Sequence, residues 1–337
     1  MPQDIFESQS ELHPESQLWP EYLKSRDLQE ELFRAKLQRQ MAMGGNSPCL
    51  STIKWSSFSA EGTGCQIYHA FFTIAELINM VSSPIQHPEL YLDKLRKNVT
   101  SDSPFIWIPA FATPRTYDLV HFAKPNAKVL ATDLCASPVL SLGLLYPEEV
   151  AKKSLYSQKL NVFDAIGQLP ANFFDAIVTD AFITRFEGND KLRVLAIFFQ
   201  ALKPGGSLFT TIRMPKITEK IQGQSLELSS KANNYPEKVI GAYEKLTKGF
   251  KKTDLPYANL KELQQDAQTY MATMASSHQL EEADLIAAAW MPQLGQLPGS
   301  GIGMTLSKIG FSQTDIKISQ PVYDITTRRY LQICATK

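Results

Sequence analysis

Apolar residues in the first hundred positions recur at the spacing of helices. Glu30 to Met43 consists mainly of strong helix formers such as Leu, Ala, Gln, Arg and Lys. Residues 67–81 place apolar side chains three and four positions apart, which is typical of one buried helical face. His87-Pro88 then opens a further helix that is predicted to run to Leu95. We therefore expect an N-terminal helical cap over residues 1–103.

From Pro104 onward, short apolar runs alternate with helical segments. The runs cover residues 105–110, 128–132, 160–163, 173–178 and 207–212. A helical segment over residues 191–202 is one of the crossovers between them. Continuous apolar strands separated by helices indicate a largely parallel sheet that is covered on both faces.

The alternation stops after Met214-Pro215, and an apolar stripe at helical spacing lies between Leu260 and Met274. Two strand-like runs, residues 313–318 and 328–335, then close the chain. The whole pattern predicts one α/β domain with a mostly parallel seven-stranded sheet, made of residues 104–215 and 304–337. Residues 216–303 are expected to form a helical insertion, or lid, before the last two strands.

Charge and composition exclude several classes of protein. The chain has 34 Lys and Arg against 34 Asp and Glu, whereas binding to nucleic acid or to an anionic membrane needs a basic excess. No apolar run reaches the ~18–20 residues that span a bilayer, and the polar, acidic start has no secretory signal. The four cysteines are scattered without metal-ligand spacing. We expect a cytoplasmic protein with neither a nucleic-acid nor a membrane partner.

The most specific local motif is the sequence LKPGGSLF at residues 202–209. It predicts a helix end, a Pro-Gly-Gly turn and an apolar strand. Upstream, three carboxylates follow the predicted strands in order: Asp133 after the second, Asp164 after the third and Asp180 after the fourth. The carboxyl ends of parallel strands meet at one edge of a sheet, and ligands bind there.

This ordered set resembles the class I S-adenosylmethionine-dependent methyltransferases over residues ~104–215 and ~304–337. Gly310-Phe311, followed by two strands, fits the same family. The resemblance implies a Rossmann-like methyltransferase fold with S-adenosylmethionine as the cofactor. It assigns Asp133 to the two ribose hydroxyls, for which a fixed pair of acceptors is suited. The alternative for Asp133 is the N-cap of the helix that starts near Ser137-Pro138.

The resemblance implies further cofactor-binding positions at the strand ends. Leu134 would pack on the adenine face, and Asp164 would accept a hydrogen bond from the adenine amino group, with the amide of Ala165 beside it. Asp180 and Ala181 would end the fourth strand, where the reactive sulfonium meets the methyl acceptor.

The first strand-to-helix turn departs from the glycine-rich pattern of that family. Pro109, Phe111 and Thr113 stand where glycines belong, and Ala110 lies between the first two. Glycines in such a turn let the backbone approach a ligand and adopt positive φ. Two outcomes are open: a reshaped turn binds the cofactor through these four residues, or Phe111 fills the adenosyl pocket.

The acceptor side of the site has weaker candidates. His69 is a candidate catalytic group because N-terminal helices often cover such sites, although its helical face is the solvated one. Tyr68 flanks the apolar stripe as a candidate substrate contact. Arg185 and Arg213 follow strands four and five, where either could bind an acidic group of a substrate. Residues 210–213 lack the Asp-Asn pair that a Mg²⁺ site would need, so no metal is expected.

The resemblance implies methyl transfer from S-adenosylmethionine to an oxygen or nitrogen of a small-molecule acceptor. The helical cap and the insertion would exclude water from the reaction, and they could also form a homodimer surface. The alternative is a catalytically silent protein of the same fold that serves as a binding or assembly module. A nucleotide- or NAD-binding Rossmann protein is a third hypothesis, which would also require the missing glycines.

Overall fold

The computed structural model describes residues 16–25, 84–111, 115–186, 188–213, 300–319 and 330–337, with 237, 240, 241, 244, 259–265 and 268. Within these residues the strands are β1 (Phe105–Pro109), β2 (Lys128–Asp133), β3 (Leu155–Lys159), β4 (Phe174–Thr179), β5 (Leu202–Arg213), β6 (Gln313–Ser319) and β7 (Tyr330–Thr336). They form one sheet in the order β3-β2-β1-β4-β5-β7-β6. The pairs among β1 to β5 are parallel, and β7 is antiparallel to β5 and β6. The predicted α/β class with a mostly parallel seven-stranded sheet is confirmed.

The apolar runs predicted most strands closely but misplaced the third. β1, β2, β4, β6 and β7 begin and end within about two residues of the predicted runs. The strand predicted at residues 160–163 is wrong: β3 precedes it, and Val162–Asp164 form a 3₁₀ turn. β3 lies at the edge of the sheet, where Leu155 is buried but Gln158 and Lys159 are exposed. Because so little of β3 is buried, its sequence carries almost no apolar pattern.

β5 starts earlier than predicted and contains a bulge. Leu202 pairs with Phe174, and the next pair joins Ser207 to Ala176. The four residues between Leu202 and Ser207 therefore bulge out of the ladder, with Gly205 at a φ of 80°. The predicted Pro-Gly-Gly turn is thus a bulge inside the strand.

Helices cover both faces of the sheet, as the continuous apolar strands predicted. They are α1 (a π-helical stretch Glu89–Lys94 continued by Leu95–Asn98), α2 (Arg115–Ala123), α3 (Ala136–Leu145), α4 (Pro147–Ala151), α5 (Ala165–Gln168), α6 (Gly188–Ala201) and α7 (Ser300–Ile309). One core packs α1, α2 and α3 against Ile106 and Ile108 of β1. The other packs α6 and α7 against the opposite face, where Trp107 contacts the ring of Phe198 with centroids 5.4 Å apart.

Part of the N-terminal region packs on the first core. Residues 19–25 are helical, and the ring of Tyr22 meets Phe122 of α2 edge-on at 5.4 Å. The backbone N–H of Leu18 donates to the carboxylate of Asp93 on α1 at 3.0 Å. The helices predicted at residues 30–43 and 67–81 lie outside the described residues, as does most of the predicted insertion. None of the helices that the structure describes is long and apolar enough to cross a membrane.

Ion pairs join β6 to α1. Lys94 contacts Asp315 of β6 at 2.7 Å, and Lys317 of β6 contacts Glu89 at 2.8 Å. β6, like β3, is an edge strand, and its first three residues are exposed. These pairs place the start of α1 beside the β5, β6 and β7 side of the sheet.

Candidate functional site

The carboxyl ends of β1 and β4 lie side by side where the connections of the sheet diverge. From β1 the chain proceeds to β2 and β3 on one side, and then to β4 and β5 on the other. In open parallel sheets, ligands bind in the crevice outside the carboxyl ends at such a switch point. The candidate site is therefore the carboxyl edge around β1 and β4.

Two alanines at this edge adopt the left-handed conformation. Ala110 follows β1 with a φ of 57°, and Ala181 follows β4 with a φ of 49°. Such a conformation costs a residue with a side chain about 1–3 kcal/mol, and residues of this kind concentrate at functional sites. In the sequence, Pro109 and Phe111 stand at two of the positions where glycines would adopt positive φ. The structure instead puts the positive φ on Ala110, between them.

The first turn is joined to the end of β2 by hydrogen bonds. The N–H of Ala110 donates to the carbonyl of Thr132 at 2.6 Å, and the N–H of Phe111 donates to Oδ2 of Asp133 at 3.2 Å. The side chain of Phe111 is 3% exposed and belongs to the core beneath α2. The turn thus reaches a positive φ without glycine, and Phe111 packs in the core. The next of its predicted residues, Thr113, lies outside the described residues.

Asp133 is a buried carboxylate that is fixed from two sides. Its Oδ1 accepts from the N–H of Cys135 at 2.8 Å, while Oδ2 accepts from the first turn as described. The N-cap position of α3 is Cys135, so the alternative prediction that Asp133 is the N-cap of this helix is wrong. An ionised carboxylate has about four acceptor positions, and the two backbone N–H groups use two of them. The result is an acceptor pair held in one orientation.

The other predicted adenosine contacts follow β2 and β3 at the same edge of the sheet. The side chain of Leu134 is 42% exposed although it is apolar. Asp164 is exposed at the end of its 3₁₀ turn, and Ala165 behind it is buried. The N–H of Leu160 donates to the carbonyl of Asp133 at 2.8 Å, which joins this segment to β2. An accessible apolar side chain and two carboxylates around one edge fit an adenosyl ligand in chemistry.

A hydroxyl network occupies the ends of β4 and β5. Oδ1 of Asp180 accepts from the hydroxyl of Thr211 at 2.6 Å and lies 3.0 Å from the hydroxyl of Tyr91. The N–H of Ala181 donates to the same Thr211 oxygen at 2.9 Å, and Tyr91 also donates to the carbonyl of Thr179 at 2.7 Å. The strained backbone after β4 is thereby attached to β5 and α1.

Burial determines the protonation of this tyrosine. Tyr91 has no exposed surface, and desolvation, followed by the negative charge of Asp180, raises its pKa well above the usual value. The phenol therefore stays protonated over the working range of pH and acts as a hydrogen-bond donor.

Sequence analysis missed Tyr91, Thr211 and His87 as residues of this edge. His87 is fully buried, with Nδ1 3.2 Å from the hydroxyl of Ser319 and its ring 5.4 Å from that of Tyr330. Each of these residues meets partners far away in the sequence, so no local spacing marks them. In the sequence, these residues could be recognised by a polar side chain within an otherwise apolar helix or strand.

The structure describes two of the four candidate residues for binding the methyl acceptor. Arg185 is exposed at the end of the 3₁₀ turn Ile183–Arg185, and Arg213 ends β5 opposite Tyr330 of β7. His69 and Tyr68 lie outside the described residues. In the part of the chain that the structure describes, no three His, Cys, Asp or Glu side chains group as a metal ion would require.

The chain is similar to known proteins in structure but not in sequence. No protein-family model and no curated protein sequence matches this chain. Solved structures of similar shape are mostly methyltransferases. The carbon methyltransferase CurJ is 13% identical, with a TM-score of 0.40 over 91% of this chain and 70% of its own. The methyltransferase CalH, solved with S-adenosylhomocysteine, is 12% identical with a TM-score of 0.39, and the match covers 72% of this chain but only 54% of that chain.

A third similar structure has a different description. A possible exported protein from Bordetella parapertussis is 11% identical, with a TM-score of 0.41 over 76% of this chain and 68% of its own. At these identities, the assignment of the fold depends on the strand order and directions described above. The chain resembles class I methyltransferases in the architecture of its sheet.

Proposed function

We propose that this protein transfers a methyl group from S-adenosylmethionine to an oxygen or nitrogen of a small-molecule acceptor. The observation that supports it most is the pair of carboxylates, Asp133 and Asp164, at the carboxyl edge beside a turn with a strained alanine. A fixed carboxylate suits a ribose diol, and an exposed one nearby suits an exocyclic amine. The bound cosubstrate would supply an electrophilic methyl group on a sulfonium.

Each proposed binding residue contacts a different part of the cosubstrate. Asp133 holds the ribose hydroxyls, because its carboxylate is already oriented by two backbone N–H groups. Leu134 packs on the adenine, and Asp164 accepts from the adenine amino group beside the amide of Ala165. The turn from Pro109 to Thr113 approaches the remainder of the cosubstrate.

The acceptor binds on the β4 and β5 side of the same edge. Arg185 and Arg213 are proposed as contacts for an acidic group, with Tyr68 and His69 on the helical cap over residues 1–103. The insertion over residues 216–303 completes the enclosure. A nucleophile that approaches the methyl carbon in line needs chiefly this positioning and the exclusion of water.

Calorimetry on the full chain with S-adenosylmethionine and S-adenosylhomocysteine tests the proposal. We expect the Asp164→Ala variant to bind about tenfold more weakly than the wild type, through loss of a charge-assisted hydrogen bond. Asp190→Ala is the matched control, because Asp190 is also an exposed acid in the first turn of a helix. Absence of wild-type binding at about 1 mM ligand would refute the enzyme.

The second candidate is the catalytically silent binding or assembly module. It is favoured by the use of both Asp133 oxygens for internal hydrogen bonds, since each oxygen has a partner without any ligand. In that case Asp133 would serve to fix the first turn alone. A wild type that binds neither ligand, together with a destabilised Asp133→Ala variant, would support this module.

A further inference from the structure

The chain between β3 and β4 carries an uncharged, largely apolar surface over the second core. Residues 165–173, which include α5, contain no Asp, Glu, Lys, Arg or His. Ile166 is 53% exposed, and Phe173 at the other end of the segment is also exposed. Single exposed apolar side chains are normal on a protein, whereas a contiguous group of them marks a surface for binding. This segment, with the end of α6 that it contacts, is called the α5 surface below.

A hollow lies in the α5 surface beside Ile166. Its walls come from the chain after α5 and from the end of α6, and they include Leu169, Pro170, Ala171, Ile197 and Gln200. Apart from the amide of Gln200, these side chains are apolar. The surface therefore places an exposed apolar projection directly next to an apolar depression.

Hydrogen bonds hold this surface in its shape. The N–H of Asn172 donates to the carbonyl of Gln200, and the N–H of Phe173 donates to the carbonyl of Ala201, both at 2.9 Å. The ring of Phe173 also packs against that of Phe105 at 4.8 Å. A surface that is already ordered loses little conformational entropy when it binds a partner.

The charges of this surface favour a second copy of the chain over an acidic or basic partner. In a two-fold dimer the same patch of both copies meets, so a charged patch would repel its counterpart. Residues 165–173 have no charge to repel, and they offer none to an oppositely charged partner. The 34 basic and 34 acidic residues of the whole chain also leave no net repulsion between copies.

The shape of the surface is self-complementary as well. A two-fold axis that passes between Ile166 and the hollow brings the projection of each copy to the depression of the other. We infer that the α5 surface is the interface of a symmetric homodimer, in which Ile166 of each copy inserts into the hollow of the other. Burial of this side chain and of the apolar walls drives the association. The inference does not depend on the proposed function.

Sedimentation equilibrium on the full chain tests the interface. We expect the wild type to form dimers, and Ile166→Asp should raise the dissociation constant of the dimer about 100-fold by placing a charge in an apolar hollow. Ala171→Arg should weaken the dimer similarly, because it fills the hollow. The matched control is Met304→Asp on α7, since Met304 is an apolar side chain with 63% exposure on another helix. Its dissociation constant should stay within about twofold of the wild type.

Hydrogen exchange locates the contact independently of any substitution. When the wild type is concentrated from below to above its dissociation constant, the amides of residues 165–173 should exchange more slowly, while those of α7 should not change. Ile166→Lys controls for the sign of the introduced charge and should weaken the dimer as much as Ile166→Asp. Circular dichroism should show that both variants keep the wild-type fold, because Ile166 is exposed.

The outcomes that overturn the inference are distinct. A wild type that stays monomeric at about 200 µM has no such dimer. Assemblies that grow beyond two copies with concentration show a head-to-tail contact in place of the two-fold one. A dimer that survives Ile166→Asp, or that Met304→Asp weakens equally, does not use the α5 surface.

Discussion

The two edges of the same sheet are built in different ways. At the amino edge, the ring of Phe105 packs against Phe173 at 4.8 Å and stacks on Tyr156 at 6.1 Å. At the carboxyl edge, the chain leaves β1 and β4 through the strained residues Ala110 and Ala181. Left-handed backbone is not special to the carboxyl edge, because Lys153 before β3 and Asn172 before β4 also have a positive φ. The amino edge is chiefly aromatic packing, whereas the carboxyl edge carries the hydroxyl network.

The polar groups that the structure describes at the amino edge bind mainly to one another and to the backbone. Asp175 accepts from the N–H of Phe105 at 2.7 Å and pairs with Lys203 at 2.9 Å. The ammonium of Lys337 donates to the carbonyls of Phe199 and Leu202 at 2.7 and 2.8 Å, near the end of α6. This edge therefore adds stability through satisfied hydrogen bonds.

The two edges therefore differ in role: the amino edge stabilises the sheet, and the carboxyl edge is the candidate ligand site. The two alanines cost about 1–3 kcal/mol each, which the packing of the remaining sheet must offset. A protein of this size has only about 5–15 kcal/mol of net stability. Lys153 and Asn172 at the amino edge have similar φ values, so such strain is present at both edges of the sheet.

The largest expected effect distinguishes the edges by removing one aspartate from each. Asp133→Ala should lower the affinity for S-adenosylmethionine by about 100-fold and the free energy of unfolding by about 2–4 kcal/mol, because two backbone N–H groups lose their acceptor. Asp175→Ala should lower stability in the same way but leave the affinity within about twofold. Denaturant titration and calorimetry measure both quantities, and an equal loss of affinity in the two variants would contradict the division.

The second effect is confined to the amino edge. Gly310 has a φ of 124°, and a Cβ there would lie 2.6 Å from Cζ of Phe199. Gly310→Ala should lower the free energy of unfolding by about 2–4 kcal/mol through strain and overpacking. Gly167→Ala, in an open helical position, should raise it by about 0.5–1 kcal/mol. Ligand affinity should be unchanged in both, so a weakened Gly310→Ala site would show that the edges are coupled.

The smallest expected effect is an increase in the free energy of unfolding. Ala110→Gly should increase the free energy of unfolding by about 0.5–1 kcal/mol, because glycine adopts positive φ without steric cost. The control Ala151→Gly, in α4, should decrease it by a similar amount. Urea denaturation compares the two variants, and a destabilised Ala110→Gly protein would mean that the turn is not strained.

The apolar pattern was sufficient for the sheet where strands are buried on both faces. β1 and β4 were predicted almost to the residue, because consecutive side chains from Ile106 to Ile108 and from Ala176 to Val178 are buried. β3 was misplaced because an edge strand buries little. The nearby run at residues 160–163 is apolar because it packs as a turn on the second core.

Residues of the candidate site could be predicted only near the ends of strands. Asp133, Asp164 and Asp180 could be selected by their order, and the structure brings the ends of their strands to one edge. Tyr91 could not, because its partner at Asp180 is set by the packing of α1 on the sheet. The left-handed Ala110 could not either, since alanine in a sequence gives no sign of positive φ.

The polar character of the two outermost strands has a consequence for self-association. A bare strand edge is a template for pairing with another chain, and exposed charged side chains oppose that pairing. β3 ends in the exposed Lys159, while β6 carries the exposed Asp315 and, further along, Lys317. Aggregation by pairing of another chain's strand with β3 or β6 is therefore disfavoured. Continuation of the described sheet from one copy of the chain into the next is disfavoured for the same reason.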